Sequence, residues 1–202
     1  MGTGRRYASK SALVRQGAPG GFLLALTAGR VKVLGSEPDG SGLLVALRGP
    51  GDLIGEMAAR SDTVRNATVE ALDDCAARYL PRAKFSDFLT AHGMQDAFND
   101  YLVAKLSETV PYHVRLVHFS ARQRTARLLL EVVALAAPED PARLRVPFSQ
   151  EAVATALGLS RSTVADQIAL LRKDGTLARG PRLLVADLHQ LAKHAGVTGV
   201  TS

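Results

Sequence analysis

Four consecutive residues, Ser160, Arg161, Ser162 and Thr163, place a cluster of hydrogen-bond donors at the start of a helical pattern in the C-terminal part of the chain. Donors at the N-terminal end of a helix can reach base edges and phosphates when that helix lies in the major groove of DNA. Hydroxyl groups and a guanidinium at this position therefore indicate contact with DNA.

The segment that must position these donors extends from Phe148 to Leu171, and its spacing is typical of two short helices joined by a tight turn. Val153, Leu157 and Val164 are spaced so that they can meet in one small core. Gly158 stands at the turn, where glycine tolerates the left-handed conformation that ends a helix. The pattern predicts a helix-turn-helix.

Both predicted helices follow a serine, Ser149 or Ser160, whose hydroxyl can accept a hydrogen bond from the free amides of the first turn. Any amphipathic pair of helices would have the same apolar spacing, so the spacing alone leaves a plain helical pair as an alternative. The donors at the start of the second helix favour the DNA-binding interpretation.

A wing is predicted directly after the second helix. The sequence indicates a turn at Asp174, a short strand, a tip at Gly180 and a second strand, with Arg179 and Arg182 on either side of the tip. A helix-turn-helix followed by such a hairpin is a winged helix-turn-helix.

Length and composition exclude several classes of protein. The 202 residues contain no apolar run near the ~20 residues of a membrane span and no visible signal peptide. We therefore expect a cytoplasmic protein of one or two globular domains, without membrane contact. The single cysteine, Cys75, excludes an internal disulfide and an iron–sulfur cluster, and we expect it to be buried in a strand.

Charge and histidine content bear on partners and catalysis. Of the formal net charge of +6, residues 120–202 contribute +4, with 11 Lys/Arg against 7 Asp/Glu. This excess around the helix-turn-helix is consistent with phosphate contact. The five histidines show no metal-ligand spacing, and residues 10–80 contain none. We therefore expect neither a metal site nor an enzyme.

Glycines recur between short apolar runs from about Lys10 to Leu80, a rhythm that is typical of an antiparallel β-barrel or jelly roll. The composition of Glu37–Gly42 predicts a hairpin turn. Pro81 then begins a short predicted helix, which ends at Gly93.

A long helix is predicted from about Met94 to His118, and Ser120 predicts the cap of a further helix. The apolar stripe of the long helix has a period close to that of a coiled-coil seam, which favours a dimer through this helix. The alternative is that the stripe packs on the barrel. Because Pro111 removes one backbone hydrogen bond, we expect a bend or break there. The stripe consists of Met94, Phe98, Tyr101, Leu102, Leu106, Thr109, Val110, Val114 and Val117.

The order of barrel, long helix and winged helix-turn-helix resembles the bacterial superfamily of cyclic-AMP receptor and fumarate–nitrate reductase regulator (CRP/FNR) transcription factors. The resemblance covers nearly the whole chain and rests on GRVKV from Gly29, GPGDLIGEMA from Gly49, RNATVEAL from Arg65, RTARLLLEV from Arg124 and SQEAVATALGLSRSTV with the wing GTLARGPRLLV. It implies an α+β chain with an effector-sensing, cyclic-nucleotide-binding-like jelly roll over 1–92, a dimerisation helix over 93–118 and a winged helix-turn-helix over 119–202. Because RRYASKSALVRQG resembles the first barrel strand, we expect no leading helix.

The resemblance also implies a ligand pocket. In family members that bind cyclic nucleotides, a Gly-Glu pair holds the ribose and a later arginine pairs with the cyclic phosphate; Gly55, Glu56 and Arg65 match these positions. Asn66 stands where a small hydroxyl or alanine is usual, and Thr109 matches a hydroxyl that contacts adenine. Three alternatives stay open: cyclic AMP or another cyclic nucleotide, another small effector, or no ligand, with Glu56 and Arg65 as a structural ion pair.

For DNA, the resemblance implies that Arg161 reads a guanine with two hydrogen bonds. Phosphate contacts are implied for Ser149, Gln150, Thr163, Arg179 and Arg182. Ser162 and Asp166 replace residues with which the best-known member reads its site, so we expect a different operator.

The expected assembly is a homodimer on an inverted repeat of double-stranded DNA, with RNA polymerase as a further candidate partner. The alternative is a sensor dimer that binds a small molecule and whose winged helix mainly contacts protein. The acidic Asp166 on the presumed reading face supports that alternative.

Overall fold

The strands near the N-terminus alternate between buried and more exposed side chains, as strands with one face on a core do. The computed structural model describes residues 2–36, 42–61 and 63–197, without the side chains of residues 36, 61 and 108–117. The alternation is seen, for example, at Thr68–Ala71. In chain order the elements are β1 Thr3–Tyr7, β2 Ala12–Val14, β3 Phe22–Ala28, β4 Val31–Ser36, β5 Gly42–Arg48, β6 Leu53–Ile54, α1 Glu56–Ser61, β7 Thr68–Ala71, β8 Cys75–Pro81, α2 Arg82–Ala91, α3 Gln95–His118, α4 Ala121–Ala134, β9 Arg145–Val146, α5 Gln150–Leu157, α6 Arg161–Lys173, β10 Leu183–Leu184 and α7 Leu188–His194.

Two antiparallel four-stranded sheets form the N-terminal part, in the orders β1-β8-β3-β6 and β2-β7-β4-β5. Leu24 and Leu26 of one sheet share a core with Val31 and Val69 of the other. The predicted jelly roll is thus confirmed, although the described strands form two sheets and do not close into one barrel.

The segment that resembles a single first strand contains two. β1 pairs with β8 and β2 pairs with β7, so they belong to different sheets. Between them Lys10 has a φ of 69°, and its amide donates to the carbonyl of Ala71 at 2.8 Å. This turn redirects the chain from one sheet to the other. The predicted hairpin turn from Glu37 lies outside the described residues, but β4 and β5 pair with Ser36 opposite Gly42.

The helix after Pro81 and the long helix are both present. The long helix, α3, stays helical through Pro111. Of the expected bend or break, the break is therefore wrong, and the bend stays a prediction. A proline interrupts one hydrogen bond of the ladder, and the turns on either side continue it here.

The apolar stripe of α3 divides between two faces. Phe98 is buried with its ring 5.1 Å from that of Phe85, and the Leu53 amide donates to the Tyr101 hydroxyl at 2.9 Å. By contrast, Leu106 of the stripe is 54% exposed. Val103, an apolar residue that the predicted stripe does not include, is 61% exposed. One face of α3 therefore packs on the jelly roll, as the alternative predicted, and another carries exposed apolar side chains. The predicted stripe members Thr109, Val110, Val114 and Val117 have side chains outside the described part.

A single apolar core joins α4, α5, α6 and α7 to the jelly roll. Leu44, Leu47 and Leu72 of the jelly roll belong to the same cluster of buried residues as Leu129 and Val153. The core thus crosses the predicted boundary at residue 119. None of the described helices is both long and apolar enough to span a membrane.

Candidate DNA-reading surface and effector pocket

Serine caps and a glycine turn fix the two helices of the helix-turn-helix. The Ala152 amide donates to the Ser149 hydroxyl at 3.0 Å, and the Thr163 amide donates to the Ser160 hydroxyl at 3.0 Å. Gly158 ends α5 with a φ of 58°. Both predicted caps and the left-handed turn are confirmed.

The buried face of α6 decides which of its side chains point outward. Val164, Ile168 and Leu171 are buried together with Val153 and Leu157. Because these positions recur every three or four residues, the opposite face of α6 is exposed. Arg161, Ser162 and Asp166 lie there and Thr163 is half-buried, which leaves the N-terminal end of the helix open to a large partner.

Arg161 has a neighbour that the sequence reasoning missed. Its Nη1 lies 3.5 Å from Oε1 of Glu151 on α5, with side chains 76% and 65% exposed. Such an exposed pair contributes at most about 1 kcal/mol, so a phosphate or base can replace it. The acidic residue at the second position of α5 was visible in the sequence, but only the packing of α5 on α6 brings it to Arg161.

The remaining predicted DNA contacts of the two helices lie at the starts of α5 and α6. The Ser160 hydroxyl is 2.9 Å from that of Ser162 and 2.8 Å from that of Thr163, so these three form one small network. Ser149 is exposed and Gln150 is half-buried at the start of α5. Both helix starts therefore present polar groups that are exposed or half-buried.

The wing differs from its prediction in the first strand. That strand is reduced to one bridge, Leu177 opposite Val185, while β10 pairs with β9, a strand before the helix-turn-helix that the sequence reasoning did not predict. Two-residue strands carry too weak a pattern to be recognised. Arg172 of α6 donates to the Gly180 carbonyl at 2.6 Å and holds the tip.

Arg179 and Arg182, the two predicted phosphate contacts of the wing, are both exposed near this tip. At the other end of the wing, Asp174 Oδ1 accepts from the Thr176 hydroxyl at 2.7 Å and Oδ2 lies 2.8 Å from His194 Nε2. Partial burial raises the pKa of Asp174, but these hydrogen bonds outweigh that effect and hold its pKa below the usual value. The turn between α6 and the wing is thus tied to α7.

In the jelly roll, Glu56 pairs with a lysine that none of the sequence-based alternatives included. It begins α1, is buried, and accepts a hydrogen bond at 2.8 Å from Nζ of Lys105 on α3. The Lys105 ammonium also donates to the Leu53 carbonyl at 2.5 Å. The alternative without a ligand predicts that Glu56 pairs with Arg65, but the ion pair that the structure shows for Glu56 is with Lys105 of α3. Only the tertiary packing of α3 reveals this role of Lys105.

Arg65 is buried and bonded to backbone oxygens. Its guanidinium donates to the carbonyls of Gly55 and Phe22, each at 2.5 Å, and lies 4.7 Å from the centre of the Phe22 ring. Gly55 has a φ of 80°, and a Cβ there would overlap the guanidinium. Burial lowers the pKa of Arg65, and the neighbouring Glu56 carboxylate offsets part of that effect.

These charged groups line a cavity of about 220 Å³ between the sheets and α3. Asn66 also lines it, while Val14, Val33, Val45 and Val69 supply an apolar wall. The side chain of Thr109, the predicted contact for a base, lies outside the described part. The cavity combines a carboxylate, a guanidinium and an ammonium with an apolar surface, which suits a small organic anion.

Cys75 is the first residue of β8 and is buried, as predicted. Burial raises the pKa of its thiol to about 11. At pH 8, three units below that value, about one thiol in a thousand is a reactive thiolate. We therefore expect native protein to resist a thiol reagent such as Ellman's reagent at pH 8, and denatured protein to release one equivalent. Rapid labelling of native protein would contradict this assignment.

Among the described residues, no three or more His, Cys, Asp or Glu side chains form a group that could hold a metal ion.

Comparison with known protein families gives two matches. Residues 4–92 match the family described as the cyclic nucleotide-binding domain, and residues 123–194 match the Crp-like helix-turn-helix domain. The first contains Gly55, Glu56 and Arg65, and the second contains α5, α6 and the wing. Together the two matches include both candidate sites.

Individual relatives are similar over nearly their whole length. The chain is 31% identical to the transcriptional regulator LdrP of Thermus thermophilus, over 95% of this chain and 96% of the relative. It is 25% identical to a CRP-like cAMP-activated global transcriptional regulator of Mycobacterium tuberculosis, over 89% and 82%. The crystal structure of a CRP-family transcriptional regulator from Thermus thermophilus superposes with a TM-score of 0.73 at 26% identity, over 95% and 96% of the two chains.

Proposed function

This chain belongs to the CRP/FNR family of bacterial transcriptional regulators, and from that membership we propose that it acts as a homodimer on an inverted-repeat operator, under the control of a small effector. It is a DNA-binding transcriptional regulator, as its relatives are.

The observation that carries the DNA-reading proposal is the exposed, capped start of α6. Arg161 stands there with most of its side chain free of the core, and Ser160 fixes the first turn. A guanidinium in this position can donate two hydrogen bonds to one guanine. Ser162 and Asp166 follow on the same exposed face, and we propose that they adjust the sequence preference.

Contacts with phosphates would set affinity more than sequence preference. We assign phosphate contacts to Ser149, Gln150, Thr163, Arg179 and Arg182. The family relationship favours these DNA roles over the alternative in which the winged helix mainly contacts protein.

The dimer proposal rests on α3. Val103 and Leu106 are exposed apolar residues, and Val110 and Val117 continue the same heptad spacing along the sequence. Two such helices can pack against each other and bring two reading helices to successive major grooves. We retain the division into sensor 1–92, dimerisation helix 93–118 and DNA-binding part 119–202 as part of this proposal.

The proposed site of action follows from the DNA partner. A regulator of bacterial genes works in the cytoplasm on chromosomal DNA, without a membrane partner. We propose no catalytic role for this chain, and RNA polymerase is the partner through which a regulator of this family would act on transcription.

Selection of binding sites from random or genomic DNA fragments by the purified full-length protein tests the function. We expect an enriched inverted repeat with half-sites about one helical turn, roughly 10 base pairs, apart. Recovery of unenriched DNA, or of a motif without two-fold symmetry, would contradict the proposal.

For the effector we propose the cyclic nucleotide class. The pocket holds the Gly55, Glu56 and Arg65 set, and the relative from Mycobacterium tuberculosis is named as cAMP-activated. Binding would exchange the carbonyl partners of Arg65 for phosphate oxygens, and a ribose hydroxyl would compete with Lys105 for Glu56. Without a ligand, Arg65 and Glu56 therefore already have hydrogen-bond partners within the protein. This also supports a second candidate, a regulator that needs no effector.

Calorimetric titration with cyclic AMP and cyclic GMP separates these candidates. We expect binding by the wild type and a loss of at least about tenfold in affinity for Arg65→Ala, because a hydrogen bond to a charged group is worth about 1.5–3 kcal/mol. Arg60→Ala is the matched control, since this arginine does not line the pocket. The thermal unfolding of both variants reports whether they are folded.

The absence of heat with the wild type would eliminate the cyclic nucleotides and favour the effector-independent regulator. Equal losses for Arg65→Ala and Arg60→Ala would instead contradict the role of Arg65.

A further inference from the structure

Arg30 is a buried charged residue that neither the DNA-reading surface nor the effector pocket uses. Its side chain is only 2% exposed. Nε donates to Asp73 Oδ2 at 2.6 Å and Nη2 donates to Asp73 Oδ1 at 3.0 Å. This two-pronged pair lies within the jelly roll, because Arg30 precedes β4 and Asp73 follows β7. It compensates the buried charge and fixes the plane of the guanidinium.

The other side of the same guanidinium reaches the C-terminal part of the chain. Nη1 donates to the Val132 carbonyl at 3.0 Å and Nη2 donates to the Arg145 carbonyl at 3.1 Å. These carbonyls lie 102 and 115 residues further along, in α4 and β9. One side chain thus bonds to an acidic residue of the sensor and to two backbone segments, α4 and β9, that directly precede the helix-turn-helix.

The Val132 carbonyl needs this partner. It lies in the last turn of α4, and the Ala136 amide, which would ordinarily reach it, donates to Val133 instead. The last carbonyls of a helix have no intrahelical partner and carry the negative end of the helix dipole. A guanidinium therefore satisfies both the hydrogen-bonding and the electrostatic requirement of this helix end.

We propose that Arg30 is the positioning residue that fixes the orientation of the winged helix-turn-helix relative to the sensor. Apolar packing also joins the two parts, because Leu44 and Leu47 of the jelly roll share a buried core with Leu129 of α4. Apolar contact is, however, non-directional. The hydrogen bonds of the planar Arg30 guanidinium, which Asp73 holds on one side, are directional. They therefore select one orientation of the winged helix-turn-helix relative to the sensor.

The same residue links the effector pocket to the DNA-binding part, an extension that rests on the proposed function. Val33 of β4 and Val69 of β7 are cross-strand partners, and both line the pocket. Arg30 and Asp73 stand at the adjoining ends of these two strands. A ligand that shifts the paired strands would move both sides of the Arg30 contact and thereby bias the orientation of α4.

Three substitutions in the full-length protein test the proposal. Arg30→Met removes all the donors but keeps an unbranched, largely apolar side chain in place of the aliphatic stem of arginine. Arg30→Lys keeps a charge for Asp73, yet a compact ammonium cannot serve the carboxylate and both carbonyls together. Lys32→Met is the matched control, because Lys32 of β4 forms its 2.8 Å ion pair with Glu70 of β7, inside the sensor.

Scanning calorimetry without DNA gives the first result. We expect one unfolding transition for the wild type and for Lys32→Met, and two separated transitions for Arg30→Met and Arg30→Lys. Because Arg30→Lys keeps the positive charge, two unfolding transitions in this variant cannot result from loss of charge alone. A single transition in both Arg30 variants, merely moved to lower temperature, would mean that the residue only stabilises the fold. Two transitions already in the wild type would equally overturn the proposal.

Binding to the selected operator, and to versions with the half-sites moved apart by one base pair, gives the second result. We expect the wild type and Lys32→Met to discriminate between spacings by about tenfold or more, because the second half-site binds intramolecularly only at the correct geometry. The Arg30 variants should lose this discrimination while keeping their affinity for a single half-site. Unchanged discrimination would overturn the proposal. If the wild type selects no operator, the proposed function fails, and calorimetry alone decides the role of Arg30.

Discussion

Val103→Asp is expected to produce a monomer that binds the operator about 100-fold or more weakly than the wild type, because the second half-site then no longer binds intramolecularly. Val103 is 61% exposed on α3, beside Leu106 in the proposed seam. In a dimer each new carboxylate would be buried at an apolar interface, close to its symmetry mate. Two unpaired charges at such a position cost more than a helix seam of this length can offset.

Sedimentation or light scattering measures the oligomeric state of this variant, and titration with the operator and with one half-site measures its affinity. Ala104→Asp is the matched control, since it adds the same charge to the next, exposed position of α3. We expect it to remain a dimer. Half-site affinity should be similar in both variants. A Val103→Asp protein that stays dimeric would show that the subunits associate elsewhere.

Arg161→Ala is expected to lose most of its preference for the operator over random DNA. A two-pronged contact with guanine contributes about 1–3 kcal/mol of discrimination, which is about 5- to 150-fold at each half-site. The exposed pair with Glu151 should reduce this effect little, because such pairs are weak. Fluorescence anisotropy with operator and random duplexes at several salt concentrations measures both affinities.

Arg182→Ala is the comparison for this prediction. It lies by the tip of the wing, and we expect it to weaken both complexes alike and to lower the slope of log affinity against log salt by about one. Equal losses on both DNAs for Arg161→Ala would contradict its base-reading role and assign it to phosphate contact.

The helix-turn-helix was predictable because its signals are local. Ser149 and Ser160 cap the helices that directly follow them, and Gly158 takes the left-handed conformation at the predicted turn. Val153 and Val164 meet in the core that their spacing predicts. Each of these features depends on residues a few positions apart, where the period of the helix decides contact.

The pocket was predictable only in part. Gly55, Glu56 and Arg65 do come together, but the partner of Glu56 is Lys105, 49 residues away on α3. A lysine on a helix is usually a solvated surface residue, and nothing in its local pattern predicts that it is buried. The continuity of α3 through Pro111 was likewise decided by the turns on either side of the proline and not by the proline itself.

By itself the sequence determined the order of the parts, the capped reading helix and the residue types of the pocket, because capping, turn chemistry and apolar periodicity act over one or two helical turns. Only the tertiary structure decided that Lys105 holds Glu56, that Glu151 approaches Arg161, and that Arg30 joins the sensor to α4 and β9. The longest of these contacts links residues 115 positions apart, and the positions of charged groups in space follow from how the sheets and helices pack. Sequence spacing carries no information about such distances once the chain has changed direction several times.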